Sequence, residues 1–207
     1  MQFSDTNQDL GTTLRGTIGR IQGKTITLRA LMEDMGEQGL LLICAIAALP
    51  FLIPVSIPGL STVFGAAIIL IAIAVTLNRM PWLPRKVLDR EIATEKLKPA
   101  LERGVNIVER INRFIKPRLY AMTEGGLVTR INALAIAVSG LLLMAPFGFV
   151  PFSNTLPGVA VLLLALGMIQ RDGLVVIGGY VMMFGTMVYF TVLFWLAFRA
   201  GQLALGG

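Results

Sequence analysis

The stretch Pro50-Phe51-Leu52-Ile53-Pro54-Val55-Ser56-Ile57-Pro58-Gly59 separates two apolar runs, Leu40–Leu49 before it and Leu60–Leu77 after it. Three prolines in nine residues cannot sit in a continuous helix, because each lacks an N–H and clashes with the turn before it. The ten-residue run ahead of the break would rise only about 15 Å as a helix, half of a hydrocarbon core. The segment is therefore a broken hydrophobic element.

The pattern returns in the second half. Asn132–Ala145 leads into Pro146-Phe147-Gly148-Phe149-Val150-Pro151-Phe152-Ser153-Asn154-Thr155-Leu156-Pro157-Gly158, and Val159–Ile169 follows. Both halves read apolar run, Pro-Phe, Pro, Ser, Pro-Gly, apolar run. The shared order points to an internal duplication. Backbone freed from helical hydrogen bonding is tolerated at membrane depth only inside protein or beside water. Paired Pro/Gly-interrupted segments in two halves point to a transport-type site. On this reading Pro50, Pro54, Ser56, Pro58 and Gly59, with Pro146, Pro151, Ser153, Asn154, Pro157 and Gly158, line a substrate or ion pathway. Each Pro-Gly step would open the second arm of a hairpin, whose helix N-terminus carries a partial positive charge. A plainer reading makes both stretches loops on the far side of the membrane, joining ordinary spans, with Ser56, Ser153 and Asn154 merely capping helices. Hydropathy does not separate the two.

Composition agrees with a lipid environment. Of the 207 residues 55% are apolar and only 14% charged, where a soluble domain carries about 25% charged. Mean hydropathy is +0.76. The net charge of +6 reads as the Lys/Arg excess of a cytoplasmic face rather than as nucleic-acid binding. There is no histidine, which removes the commonest general base and metal ligand. The one cysteine, Cys44, lies in an apolar run and reads as a small buried hydrophobe. No catalytic, zinc or nucleotide motif is present, so neither an enzyme nor a cofactor is expected. Gly65, Gly178, Gly179 and Gly185 are read as points of close helix packing.

Residues 1–23 are polar and read as a flexible N-terminus, and residues 24–207 as one membrane domain. Within it, 24–78 form the first repeat, 79–130 a charged linker, 131–173 the second repeat, and 174–198 a C-terminal spanning helix. Leu28, Leu31, Met32 and Met35 make an apolar stripe on a helix ahead of the first run. Residues 79–118 hold eleven Lys/Arg and five Asp/Glu and should be cytoplasmic, with the N-terminus on the same side. A helix from Pro99 to Pro117 would lie at the headgroups, presenting Arg110, Arg113, Lys116 and, just beyond, Arg118. The sharper reading makes it a site for anionic lipid or polymer. Asp172 beside Arg171 is either a surface ion pair or, facing inward, a proton or cation site. Leu174–Phe198, uncharged over 25 residues and closed by Trp195 and Arg199, is long enough to span fully. The expected fold is all-α: two tandem broken hairpins, re-entrant or not, a C-terminal span and amphipathic interfacial helices.

The order Leu49-Pro50, Pro54, Pro58-Gly59, Phe64-Gly65, then Pro81-Trp82-Leu83-Pro84, Lys116-Pro117-Arg118-Leu119, Pro146-Phe147, Pro151-Phe152-Ser153-Asn154, Leu156-Pro157 and Asp172-Gly173-Leu174 resembles the bacterial ExoD exopolysaccharide-synthesis family over residues 25–198. The resemblance implies an inner-membrane protein associated with exopolysaccharide production and supplies no reaction. Two functions follow as expectations. One is a transporter- or channel-like protein, expected as a homodimer. The other is a scaffold whose basic helix recruits exopolysaccharide-synthesis proteins or anionic lipid.

Overall fold

The structure is a computed structural model that describes residues 16, 25–52, 59–78, 89, 91–95, 119–145 and 150–204. Among the described residues the main helices are α1 (Leu28–Ala48), α2 (Leu60–Thr76), α3 (Gly126–Leu143), α4 (Thr155–Gln170) and α5 (Gly173–Ala204). A 3-10 turn, Leu49–Leu52, follows α1, and another, Tyr120–Met122, precedes α3. Two short strands, β1 (Thr25–Thr27) and β2 (Glu91–Ala93), pair antiparallel with Ile26 opposite Ile92. This clip ties the start of α1 to the charged linker. The helix expected from Pro99, the far part of the first break (residues 53–58) and residues 146–149 lie outside the described residues.

The amphipathic and apolar segments of the first half abut in α1. Gly36 (φ 58°, ψ −143°) breaks the helical geometry between them, a conformation open to glycine at little steric cost. Beyond it the apolar helix runs Gly36–Leu52, longer than the ten-residue run marked by hydropathy, because Glu37, Gln38 and Gly39 form its first turn.

The helices pack within and across the two halves. α1 lies against α2 and α3 against α4, while α1 also packs on α4 and α2 on α3; α5 covers α4. Leu40, Cys44, Ala48, Ile68, Ile136 and Leu164 form the shared core, so Cys44 is the buried hydrophobe its setting suggested. The α2–α3 crossing depends on two glycines. A Cβ on Gly65 would stand 2.8 Å from the Gly140 carbonyl oxygen and 2.5 Å from Met144 Cγ. A Cβ on Gly140 would meet Ile69, Ile68 and Gly65 at 3.1–3.3 Å. Gly179 similarly admits Leu164 of α4, whereas a Cβ on Gly185 would meet nothing within 4 Å among the described residues.

Two of the helices, α3 and α5, are long and apolar enough to cross a membrane. Only 17% of the Gly173–Gln202 window is buried, so α5 turns most of an apolar surface outward. Val181, Phe184, Val188, Phe194, Trp195 and Phe198 are among its exposed side chains. A continuous apolar face of this kind is a lipid or partner surface, not one suited to water.

Replacing Gly140 by Leu should destabilise the bundle by about 1–3 kcal/mol through overpacking. Gly185→Leu, with nothing within 4 Å, should stay within about 0.5 kcal/mol of the parent. Thermal unfolding of the detergent-purified variants measures the difference.

Candidate functional site

The two proline breaks meet at one end of the bundle. The first carries the chain from α1 through Leu49–Leu52, which buries Phe51. The second enters α4, whose third and fourth residues are Pro157 and Gly158, so that helix begins ahead of its Pro-Gly step. Proline is tolerated there because first-turn N–H groups have no partner within the helix. A Cβ on Gly158 would stand 2.8 Å from Phe51 Cβ and 3.7 Å from the Ala48 carbonyl oxygen. Glycine at 158 is thus what lets the first break lie on the second. The Phe51 ring meets Phe64 of α2 edge-on, with centroids 5.9 Å apart, which joins a third helix to the contact.

Ser153 and Asn154 are 2% and 8% exposed in this corner. Asn154 precedes α4 in the N-cap position, yet its side chain makes no capping hydrogen bond. Capping therefore does not account for its burial. Phe152 has a left-handed backbone (φ 63°), uncommon for a bulky residue, where the chain turns into α4. The carbonyl oxygen of Pro151 accepts a hydrogen bond from the Tyr189 hydroxyl at 2.8 Å. A backbone acceptor released by the break is satisfied by the neighbouring helix, across 38 positions of sequence.

Of the pathway residues expected from sequence, the structure gathers Ser153, Asn154, Pro157 and Gly158 beside Phe51, with Pro50 and Pro151 exposed at the same end. Gly59 precedes α2 with φ 82° and is exposed. Pro54, Ser56, Pro58 and Pro146 lie outside the described residues, as do Arg110, Arg113, Lys116 and Arg118.

Asp172 is not part of this corner. It sits past the other end of α4, which is about 24 Å long at about 1.5 Å per residue. Its carboxylate Oδ1 accepts from the N–H groups of Leu174 (2.9 Å) and Val175 (3.4 Å), capping α5. The side chain is buried, and Arg171 reaches instead to Glu124, 3.9 Å away.

A polar pair escaped sequence reasoning. Asn132, buried in α3, donates from Nδ2 to the Met122 carbonyl oxygen (2.9 Å) and accepts from the Tyr180 hydroxyl at Oδ1 (2.8 Å). It pins the end of the charged linker to α3 and α5. An amide at the head of an apolar run was the available signal.

The family model described as "Exopolysaccharide synthesis, ExoD" matches residues 10–192. The chain belongs to the ExoD family. It is 60% identical over 202 residues to Protein ExoD of Rhizobium meliloti (strain 1021), covering 98% of this chain and 84% of that one. An uncharacterised protein of Synechocystis sp. is 26% identical over 161 residues, covering 77% of this chain and 74% of the other. No solved structure matches. The ExoD resemblance drawn from the ordered Pro, Gly and Trp positions is thereby confirmed.

Two outcomes follow for this ExoD-family site. Tyr189→Phe should cost about 0.5–1.5 kcal/mol, the net worth of its hydrogen bond to the Pro151 carbonyl; reversible unfolding in bicelles measures it. Asp172→Ala should lose about 1 kcal/mol of stability, while Asp172→Asn, which keeps an N-capping oxygen, should lose only a few tenths. The same unfolding assay compares these two.

Proposed function

We propose that this chain is a bacterial inner-membrane protein, with two re-entrant hairpins and one full span, that supports exopolysaccharide synthesis or export through a transporter- or channel-like path. Its family and its 60% identical relative supply the exopolysaccharide context. What supports the path is the depth at which the breaks meet. Tyr189, bonded to Pro151, lies near the middle of α5. The uncharged stretch Leu174–Phe198 would rise about 37 Å, and Tyr189 stands about 15 Å short of Arg199 at its far end. In this reading α1–α2 and α3–α4 are re-entrant hairpins. Their tips stop within the hydrocarbon, and Ser153 and Asn154 offer polar contacts to whatever passes.

The contact scheme suits a duplicated ancestry. Exchanging the two halves maps the α1–α4 contact onto the α3–α2 contact and each hairpin onto the other. The charged linker lies on the cytoplasmic side, as does Arg171. With so few spans, two subunits close the path, which makes the working unit a homodimer. The scaffold alternative draws on Arg110, Arg113, Lys116 and Arg118, and no described contact favours it.

Single cysteines placed at the exposed positions 151 and 152 in a Cys44→Ala background should react with small charged thiosulfonates and resist bulky maleimides applied from outside. A cysteine at Phe198 should take both reagents. Equal labelling of all these positions by the bulky reagent would make the breaks surface loops and remove the path. In proteoliposomes, Ser153→Val or Asn154→Leu should lower ion or small-anion flux about tenfold or more, a barrier change of about 1.4 kcal/mol. Wild-type flux no greater than that of empty vesicles, across ions and pH gradients, would sink the transport reading.

A further inference from the structure

Past the hydrogen bond from Tyr189 to Pro151, α5 continues as an arm with little around it. Of residues 191–202 every one but Leu193 is exposed. The arm is about 18 Å long at about 1.5 Å per residue.

The distribution of its side chains selects what covers it. A helix docked on one partner carries one apolar stripe and a polar back. Val192 through Phe198 are instead seven consecutive apolar residues, which wind through almost two turns and leave no polar side. Val192, Phe194, Trp195, Leu196 and Phe198 are 48–70% exposed. The Thr191 hydroxyl donates to the Met187 carbonyl oxygen of its own helix at 2.8 Å and asks for no outside partner. Ala197 is the only small residue among Val192–Phe198, so this stretch offers a second copy no line of close approach. A surface apolar on every side fits a solvent that arrives from every side, which is acyl chain.

The arm then ends in a charge. The Arg199 guanidinium carbon lies 5.2 Å from the centroid of the Trp195 ring, one turn nearer the bundle. Helical side chains lean toward the N-terminus, which brings the guanidinium back to the level of the indole. Arg199 makes no ion pair among the described residues, and no Asp or Glu follows Asp172 in the sequence. An exposed indole with a cation over its face suits the boundary where hydrocarbon gives way to phosphate.

We infer that residues 191–202 dock in a phospholipid leaflet, with the Trp195–Arg199 pair binding headgroup phosphate at its edge. The inference rests on the proposed function in one respect, that α5 crosses the bilayer, and adds the contact that fixes its depth. Tyr189 then lies about 9 Å below Trp195, inside the hydrocarbon, and holds the second break at that level through its bond to Pro151.

Trp82 and Trp195 are the two tryptophans, so Trp82→Phe leaves a single reporter. The full chain is reconstituted in phosphatidylcholine vesicles that carry lipids brominated at one acyl depth or spin-labelled at the headgroup, and fluorescence quenching gives the depth of the ring. Trp195 is expected about 10–15 Å from the bilayer centre, near the edge of a core about 30 Å thick. Val188→Trp in a chain with Trp82→Phe and Trp195→Phe is expected about 10 Å deeper, seven residues back along the helix. Arg199→Gln should let Trp195 sink by about 2 Å or more, beyond one residue's rise, while Arg199→Lys, which keeps the charge, should hold it. In vesicles of a phosphate-free galactolipid, Arg199→Gln should leave the depth of Trp195 unchanged. Trp195 beyond the reach of every lipid quencher would put a protein on the arm and overturn the inference. So would a Trp195 no shallower than Val188→Trp, or an Arg199→Gln effect absent in phosphatidylcholine or equal in galactolipid. Depth is read without flux. An arm seated in lipid on a protein that moves nothing upholds this inference while the transport path fails, and flux from a chain whose Trp195 meets no lipid does the reverse.

Discussion

Glycine at the crossings holds the two halves of this chain together. α2 and α3 come close enough for Gly65 to sit against the Gly140 carbonyl, and Gly158 lets the turn after α1 settle on the start of α4. Any side chain at these points would wedge the halves apart. In lipid, where burying apolar surface gives helices little reason to associate, such close backbone approach supplies the packing that does. The core of Leu40, Ile68, Ile136 and Leu164, drawn from four different helices, exists because these crossings let them converge.

Much of the arrangement can be read from the chain before it folds. Proline spacing marks both breaks, hydropathy marks the apolar helices, and the burial of Cys44 follows from its neighbours. What escaped is long-range pairing. Nothing local says that Tyr189 will answer the Pro151 carbonyl, or that Tyr180 will find Asn132 across 48 positions. Gly140 looks no different from any other small residue until Gly65 is placed against it. Gly185, read from sequence in the same way as Gly179, has no neighbour within 4 Å of a Cβ among the described residues. The kink in α1 at Gly36 depends on one residue adopting a non-helical conformation that hydropathy does not register. Asp172 was open to two readings, and its sequence neighbours do not reveal the role the structure adds, a cap on the helix that follows it.

The two ends of the bundle divide the chemistry between them. At one, the described parts of the chain breaks meet, a tyrosine hydroxyl answers the Pro151 carbonyl, and buried Ser153 and Asn154 lie there. At the other, glutamates, an arginine, threonines and an uncapped helix start surround a cavity. α4 runs from the first to the second, with Asn154 before it and Arg171 after it. A small displacement along that helix would be felt at both.

α5 is longer than its companions: 32 residues against 16 in α4 and 17 in α2. In the proposed arrangement one flank of the protein therefore demands a thick hydrocarbon layer and the other a thin one. Lipids around the short helices must compress or the long helix must lean, at a fraction of a kcal/mol per ångström of misfit. Acyl-chain length in the host membrane thereby becomes a mechanical input, setting the tilt of α5 and, through the bond to Pro151, the seating of the second break.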